Sequence, residues 1–180
     1  MRSERPATET PLGVAPAFTG TGATAAFAVA AAAIQLRLLC NLLDGMLAVE
    51  ERLATPLGEL YNEIPDRIAD VVILVGAGAA VRDVTGGLEL GCAAAIAAVL
   101  TAYVRALGGS LGLTQSFAGP MAKQHRMFVL TIACIGAAVE SAFGLGSRAI
   151  LVALAIIAAG SIVTAGRRIG SIARELEARR

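Results

Sequence analysis

The chain has 180 residues, a formal net charge of +1, and 16% charged against 56% hydrophobic residues, with a mean hydropathy of +0.71. Apolar residues in long blocks at this density exclude an ordinary soluble domain and predict an all-α, polytopic transmembrane helical bundle. Near-neutral charge, 4% aromatic residues and no tryptophan argue against nucleic acid as a partner. Cys40, Cys92 and Cys134, scattered singly through apolar sequence, give neither a disulfide framework nor a metal motif.

Residues 1–22 are polar and then rich in proline, glycine and threonine, which reads as a flexible tail without a cleaved signal peptide. Five spans are predicted after it, within a membrane domain over 23–171. The first, 23–49, is Ala-rich, with Arg37 as its odd charge; snorkelling or pairing with a helix neighbour is favoured over a phosphate contact. Residues 50–56 form a charged loop in which Thr55 and Pro56 open the second span as N-cap and first helical residue. That span carries Glu59, Glu63 and Arg67 at spacings of four, a salt-bridged face, and Pro65, which is expected to bend it before Asp66.

The third span, 87–104, contains the small-residue run GCAAAIAA, suited to close helix approach or to a homodimer contact. A glycine-rich loop with Lys123, His125 and Arg126 leads to spans over 127–143 and 150–165, and a basic amphipathic stretch is predicted from Arg167 and Arg168 into a tail over 172–180. Lysine and arginine asymmetry puts the 50–56 loop, the loop holding Arg105, Lys123 and Arg126, and the basic C-terminus on one side, the cytoplasmic side of a bacterial inner membrane.

Within this apolar chain the segment 41–70 stands out. Asn41 and Asp44 are three residues apart, and Asn62, Asp66 and Asp70 step by four, so each set lines one helix face. Carboxylates among apolar helices cost several kcal/mol unless a cation, a partner or water offsets them, which makes hard-metal ligation, magnesium first, the leading expectation.

The same residues resemble the signature of the CDP-alcohol phosphotransferases (CDP-alcohol phosphatidyltransferases), D-x2-D-G-x2-A-R-x8-G-x3-D-x3-D. Asp44, Gly45, Ala48, Gly58 and Asp66 fall in step; Asn41 and Asn62 stand where aspartates are expected, and Val49 where an arginine is. A second register, placing the final pair on Asp66 and Asp70, needs a four-residue insertion and puts Asn62 in the glycine place. The ungapped register is preferred. Members of the family usually have six spans, so the resemblance leaves one span, before the signature helix, unaccounted for.

The resemblance implies transfer of a phosphatidyl group from CDP-diacylglycerol to a small alcohol with release of CMP, in phospholipid biosynthesis, by an enzyme expected to be a homodimer. It also implies Mg2+ (or Mn2+) held by Asp44, Asp66 and Asp70 with Asn41 and Asn62 as neutral ligands, weaker than a four-aspartate set, and a base that is Asp66 or its rival Asp70. Gly45, Ala48 and Gly58 would let the nucleotide approach the backbone, and Arg105, Lys123 and Arg126 would face substrate phosphates. Those cations favour a phosphorylated acceptor, glycerol 3-phosphate first and inositol phosphate second, with serine a third candidate. Two other readings stay open: a small cation or proton carrier using the acids as a relay, and a catalytically weakened paralogue.

Overall fold

A computed structural model of the chain describes residues 20–50, 56–113 and 119–179. Five helices account for nearly all of them: α1 (Thr21–Glu50), α2 (Pro56–Ala80), α3 (Gly87–Ser110), α4 (Lys123–Ala142) and α5 (Arg148–Ala178), with no strand among the described residues. The predicted Thr55 cap lies outside the described residues. The basic stretch predicted as a tail continues α5 without a break to Ala178.

Many large apolar side chains point outward, and the interior mixes small residues with a few large ones such as Leu74, Met127 and Leu154. Leu36, Val72, Ile96, Ile132 and Ile156 are exposed, whereas Ala94, Ala98, Ala137 and Ala153 are buried. Lipid tails are as apolar as leucine, so a membrane bundle gains little by hiding large side chains and gains contact by burying small ones. The molecule is accordingly a transmembrane helical bundle. Four helices, α1, α3, α4 and α5, are long and apolar enough to cross a membrane. The expected fifth span, α2, differs because Glu63, Asp66, Arg67 and Asp70 crowd its first half and leave an apolar run only from Val71 onward.

Packing is pairwise and leaves a gap between α1 and α2. α1 lies along α4, α2 along α3, and α5 joins the two pairs by packing on α3 and α4. α1 and α2 do not lie along each other, so an apolar crevice of about 450 Å³ opens between them, walled by Phe27, Ile34, Val72, Ile73 and Ala77, with Arg37 its charged lining residue. A Cβ on Gly78 would come within 2.8 Å of the Gly91 Cα, and one on Gly91 equally close to Gly78, so α2 and α3 touch backbone to backbone. The small-residue run of α3 thus serves contact within the chain. Gly91→Leu is expected to force these helices apart at a cost of roughly 1–3 kcal/mol, read as a lower melting temperature in detergent.

Candidate functional site

The two aspartates of the second helix are presented by a spacing that needs nothing but helix geometry. Asp66 and Asp70, four residues apart on α2, share a face that starts immediately after Pro65. Pro65 sits inside a continuous helix, and because it has no N–H, the carbonyl one turn earlier receives no helical hydrogen bond from it. Opposite this face, α1 contributes Arg37 and Asn41, also four apart, and the first turn of α4 contributes Lys123 and Arg126.

These groups close into one network. A single Arg37 nitrogen, Nη2, donates to Asp66 Oδ1 at 2.9 Å and to the Asp66 carbonyl at 3.1 Å. The same nitrogen lies 3.1 Å from Asp70 Oδ1, out of hydrogen-bonding alignment, so that contact is one of charge. Asn41 donates its amide to Asp66 Oδ1 at 3.1 Å, and Lys123 is paired with Asp66 Oδ2. Arg126 donates to Asp70 Oδ2 at 3.0 Å, with both side chains 1% exposed.

A second layer braces the first. Arg67 lies 3.6 Å from Asp70 Oδ2 and 3.1 Å from Glu63, the predicted helical pair, and Arg105 of α3 donates to the same Glu63 at 2.6 Å. Arg126 also donates to the Met121 carbonyl at 3.1 Å and the Thr101 hydroxyl at 3.3 Å, while Arg168 of α5 donates to the Thr101 carbonyl at 2.8 Å. Five cations, Arg37, Arg67, Arg105, Lys123 and Arg126, here face three carboxylates, Glu63, Asp66 and Asp70, an excess of two positive charges. Among the described residues Arg37 Nη1 and Arg126 Nε are buried donors without an acceptor, whereas Arg67 Nε lies 3.1 Å from Glu63 and meets it as an ion pair. Buried donors left unmet cost about 1–3 kcal/mol each, so the network holds positive charge that its own acids do not fully satisfy.

Next to the network a groove of about 650 Å³ is lined by Asn41, Gly45, Met46, Lys123 and Gln124. Gly45 has open space where a Cβ would stand, so the groove reaches its backbone. The structure thus brings together Asn41, Gly45, Asp66, Asp70, Lys123 and Arg126, with Arg105 at the rim through Glu63. It does not bring in Asp44 or Asn62, both exposed and in no ion pair among the described residues, nor Gly58, exposed on the first turn of α2. The Ala48 side chain lies outside the described residues. His125 is exposed beside the groove's Gln124.

The resemblance implies a divalent ion on these acids, and the residues present do not fit one. Among the described residues no three carboxylate, histidine or cysteine side chains gather into a metal set. The oxygens nearest a shared centre, two from Asp66 and one from Asp70, are arranged around the Arg37 nitrogen at 2.9–3.1 Å. A magnesium shell needs its oxygens at about 2.0–2.1 Å.

Sequence reasoning missed Arg37 as a member of this site, although its spacing of four from Asn41 already put it on the acid-facing stripe of α1. It treated the charge as a neighbour's partner, which is correct in kind; the partners are on another helix. Arg168, read only as part of a basic stretch, is buried and reaches α3, which no spacing could reveal.

An all-α membrane bundle with an interrupted acid signature on its first two helices and matched cations at the same end is the class that fold and site define. Within that class the chain is similar to the phosphatidylinositol phosphate synthase of Streptomyces avermitilis, with 29% identity over 149 residues, 79% of this chain. The chain spans about 60% of that relative's length. The similarity supports the resemblance to CDP-alcohol phosphotransferases carried by Asp44, Gly45, Ala48, Gly58 and Asp66. No family model matches the chain, and no solved structure does.

Proposed function

We propose that the chain is a membrane transferase that moves a phosphatidyl group from a CDP-linked lipid, CDP-diacylglycerol, to a small alcohol and releases CMP. The observation that carries this reading is the coincidence of an ordered signature with a cation-rich acid face: Asp66, its last acid, meets Asn41 and Lys123 beside the groove that reaches Gly45. The excess of two positive charges suits a diphosphate, and Lys123 lines the groove that would receive it. Asp66 is the better base of the two rivals. Its side chain is 16% exposed next to the groove, whereas Asp70 is 1% exposed and sealed by Arg126 and Arg37, and so positions the cations.

In the reaction the acceptor hydroxyl gives its proton to Asp66 while its oxygen attacks the lipid-bearing phosphorus. The bond from that phosphorus to the CMP oxygen breaks, and CMP leaves with the electron pair. Lys123 and Arg37 face the charge that gathers on the diphosphate. The active end lies on the cytoplasmic side by the distribution of lysine and arginine, and a homodimer is the working assembly.

The relative's name makes an inositol phosphate the first acceptor to test, ahead of glycerol 3-phosphate, and the cations favour either over serine. Incubating the purified protein with labelled CDP-diacylglycerol and each alcohol, then identifying the lipid product by mass spectrometry, should yield a phosphorylated headgroup lipid. A product only from serine would overturn the phosphorylated-acceptor assignment.

A further inference from the structure

We propose that the Arg37 guanidinium is a built-in cation that stands between Asp66 and Asp70 in place of a divalent metal ion, and that the acid face therefore binds its anionic ligand through fixed side-chain cations. The geometry is specific. One nitrogen touches two oxygens of Asp66 and one of Asp70, from two successive turns of α2, which is the position of an ion bridging the two carboxylates. Lys123 and Arg126 then take the outer oxygens, Oδ2 of each acid. All four carboxylate oxygens of the pair are accordingly within reach of a fixed positive charge.

The sequence changes at the same site point the same way. A face built for divalent ions needs surplus negative charge, yet Asn41 stands on it where the family signature has an aspartate and spends its amide N–H on Asp66. A neutral amide stands in a carboxylate place there, and the Arg37 guanidinium lies one turn away on the same helix, between the two acids of α2. A divalent ion entering here would have to displace a cation whose own charge would then be left near the apolar wall of the α1–α2 crevice, which Arg37 also lines. Within the network, apart from Arg67 Nε with its Glu63 ion pair, the groups without a hydrogen-bond partner among the described residues are two N–H donors, Arg37 Nη1 and Arg126 Nε, and one acceptor, Asp70 Oδ1, which already lies 3.1 Å from Arg37 Nη2. Donors call for an anion's oxygens, not for a metal.

This assignment refines the transferase reading and rests on the acid face being that site, so its test carries a readout independent of turnover. Mn2+ binding to the purified full chain in detergent is followed by electron paramagnetic resonance, for the wild type, Asp66→Asn/Asp70→Asn, Arg37→Met and Arg37→Met/Asp70→Asn. The wild type is expected to bind Mn2+ no more tightly than the doubly amidated variant. Arg37→Met should gain a site at least tenfold tighter, lost again on adding Asp70→Asn. A wild-type Mn2+ site that disappears in Asp66→Asn/Asp70→Asn overturns the proposal, whatever Arg37→Met does. In parallel, CMP release by the wild type should survive EDTA. Release abolished by EDTA and restored by Mg2+ also overturns it, whereas no release under any condition sinks the transferase reading and leaves the Mn2+ result to decide this one.

Discussion

Arg126→Leu is expected to destabilise the bundle by about 3–5 kcal/mol, the largest effect of any single change at this site. Arg126 and Asp70 are each 1% exposed and bonded to one another at 3.0 Å. Removing the arginine strands a carboxylate in the interior, with only Arg37 and Arg67 at 3.1 and 3.6 Å to offset it. It also frees the Met121 carbonyl and the Thr101 hydroxyl from their donor, loosening the start of α4 against α3. Detergent unfolding curves should show this loss. Adding Asp70→Leu should recover much of it, because exchanging a buried ion pair for apolar side chains is often neutral or favourable whereas breaking one is costly. A single variant as stable as the wild type would mean that Asp70 does not depend on Arg126.

The second large effect is on turnover. Asp66→Asn keeps the size of the side chain and a carbonyl for Lys123, but removes the proposed proton acceptor, so CMP release should fall by roughly 10²–10⁴-fold. Stability should change far less than in Arg126→Leu, since Asp66 and Lys123 are partly exposed, at 16% and 20%. Asp70→Asn gives the contrasting pattern, a marked loss of stability with a smaller direct effect on the chemical step. If the two aspartates exchange these patterns, Asp70 is the base and the positioning role passes to Asp66.

Both predictions depend on contacts between helices, and this is where legibility in the sequence stopped. The bundle itself was plain from hydropathy, because long apolar blocks have few alternatives in lipid. The acid face of α2 was plain too, because spacings of four survive folding unchanged. Charge bias grouped the 50–56 loop with the region from Arg105 to Arg126, and the ion pairs Glu63–Arg105, Asp66–Lys123 and Asp70–Arg126 bring acids and bases to the same end. What the spacing could not supply was the partner of each acid. Asn41 and Asp44 share a stripe on α1, yet only Asn41 meets α2, and Arg37, one turn the other way, meets it more closely. Rotation of one helix about its axis decides that choice, and packing of α1 on α4 sets the rotation.

The carrier reading fares worse against this geometry. A relay needs acids free to exchange protons or ions at several depths, whereas here Asp66 and Asp70 are clamped by fixed cations at one end of the bundle. The weakened-paralogue reading and the transferase reading differ only in rate, and so are separated by an assay rather than by a contact.

The most direct test of the whole account is CMP release by the purified protein from labelled CDP-diacylglycerol in mixed micelles, with an inositol phosphate as acceptor and Asp66→Asn run beside it. CMP and a matching lipid product from the wild type, lost in the variant, is the predicted result. Equal CMP from both, or none from the folded wild type with any alcohol tried, would contradict it.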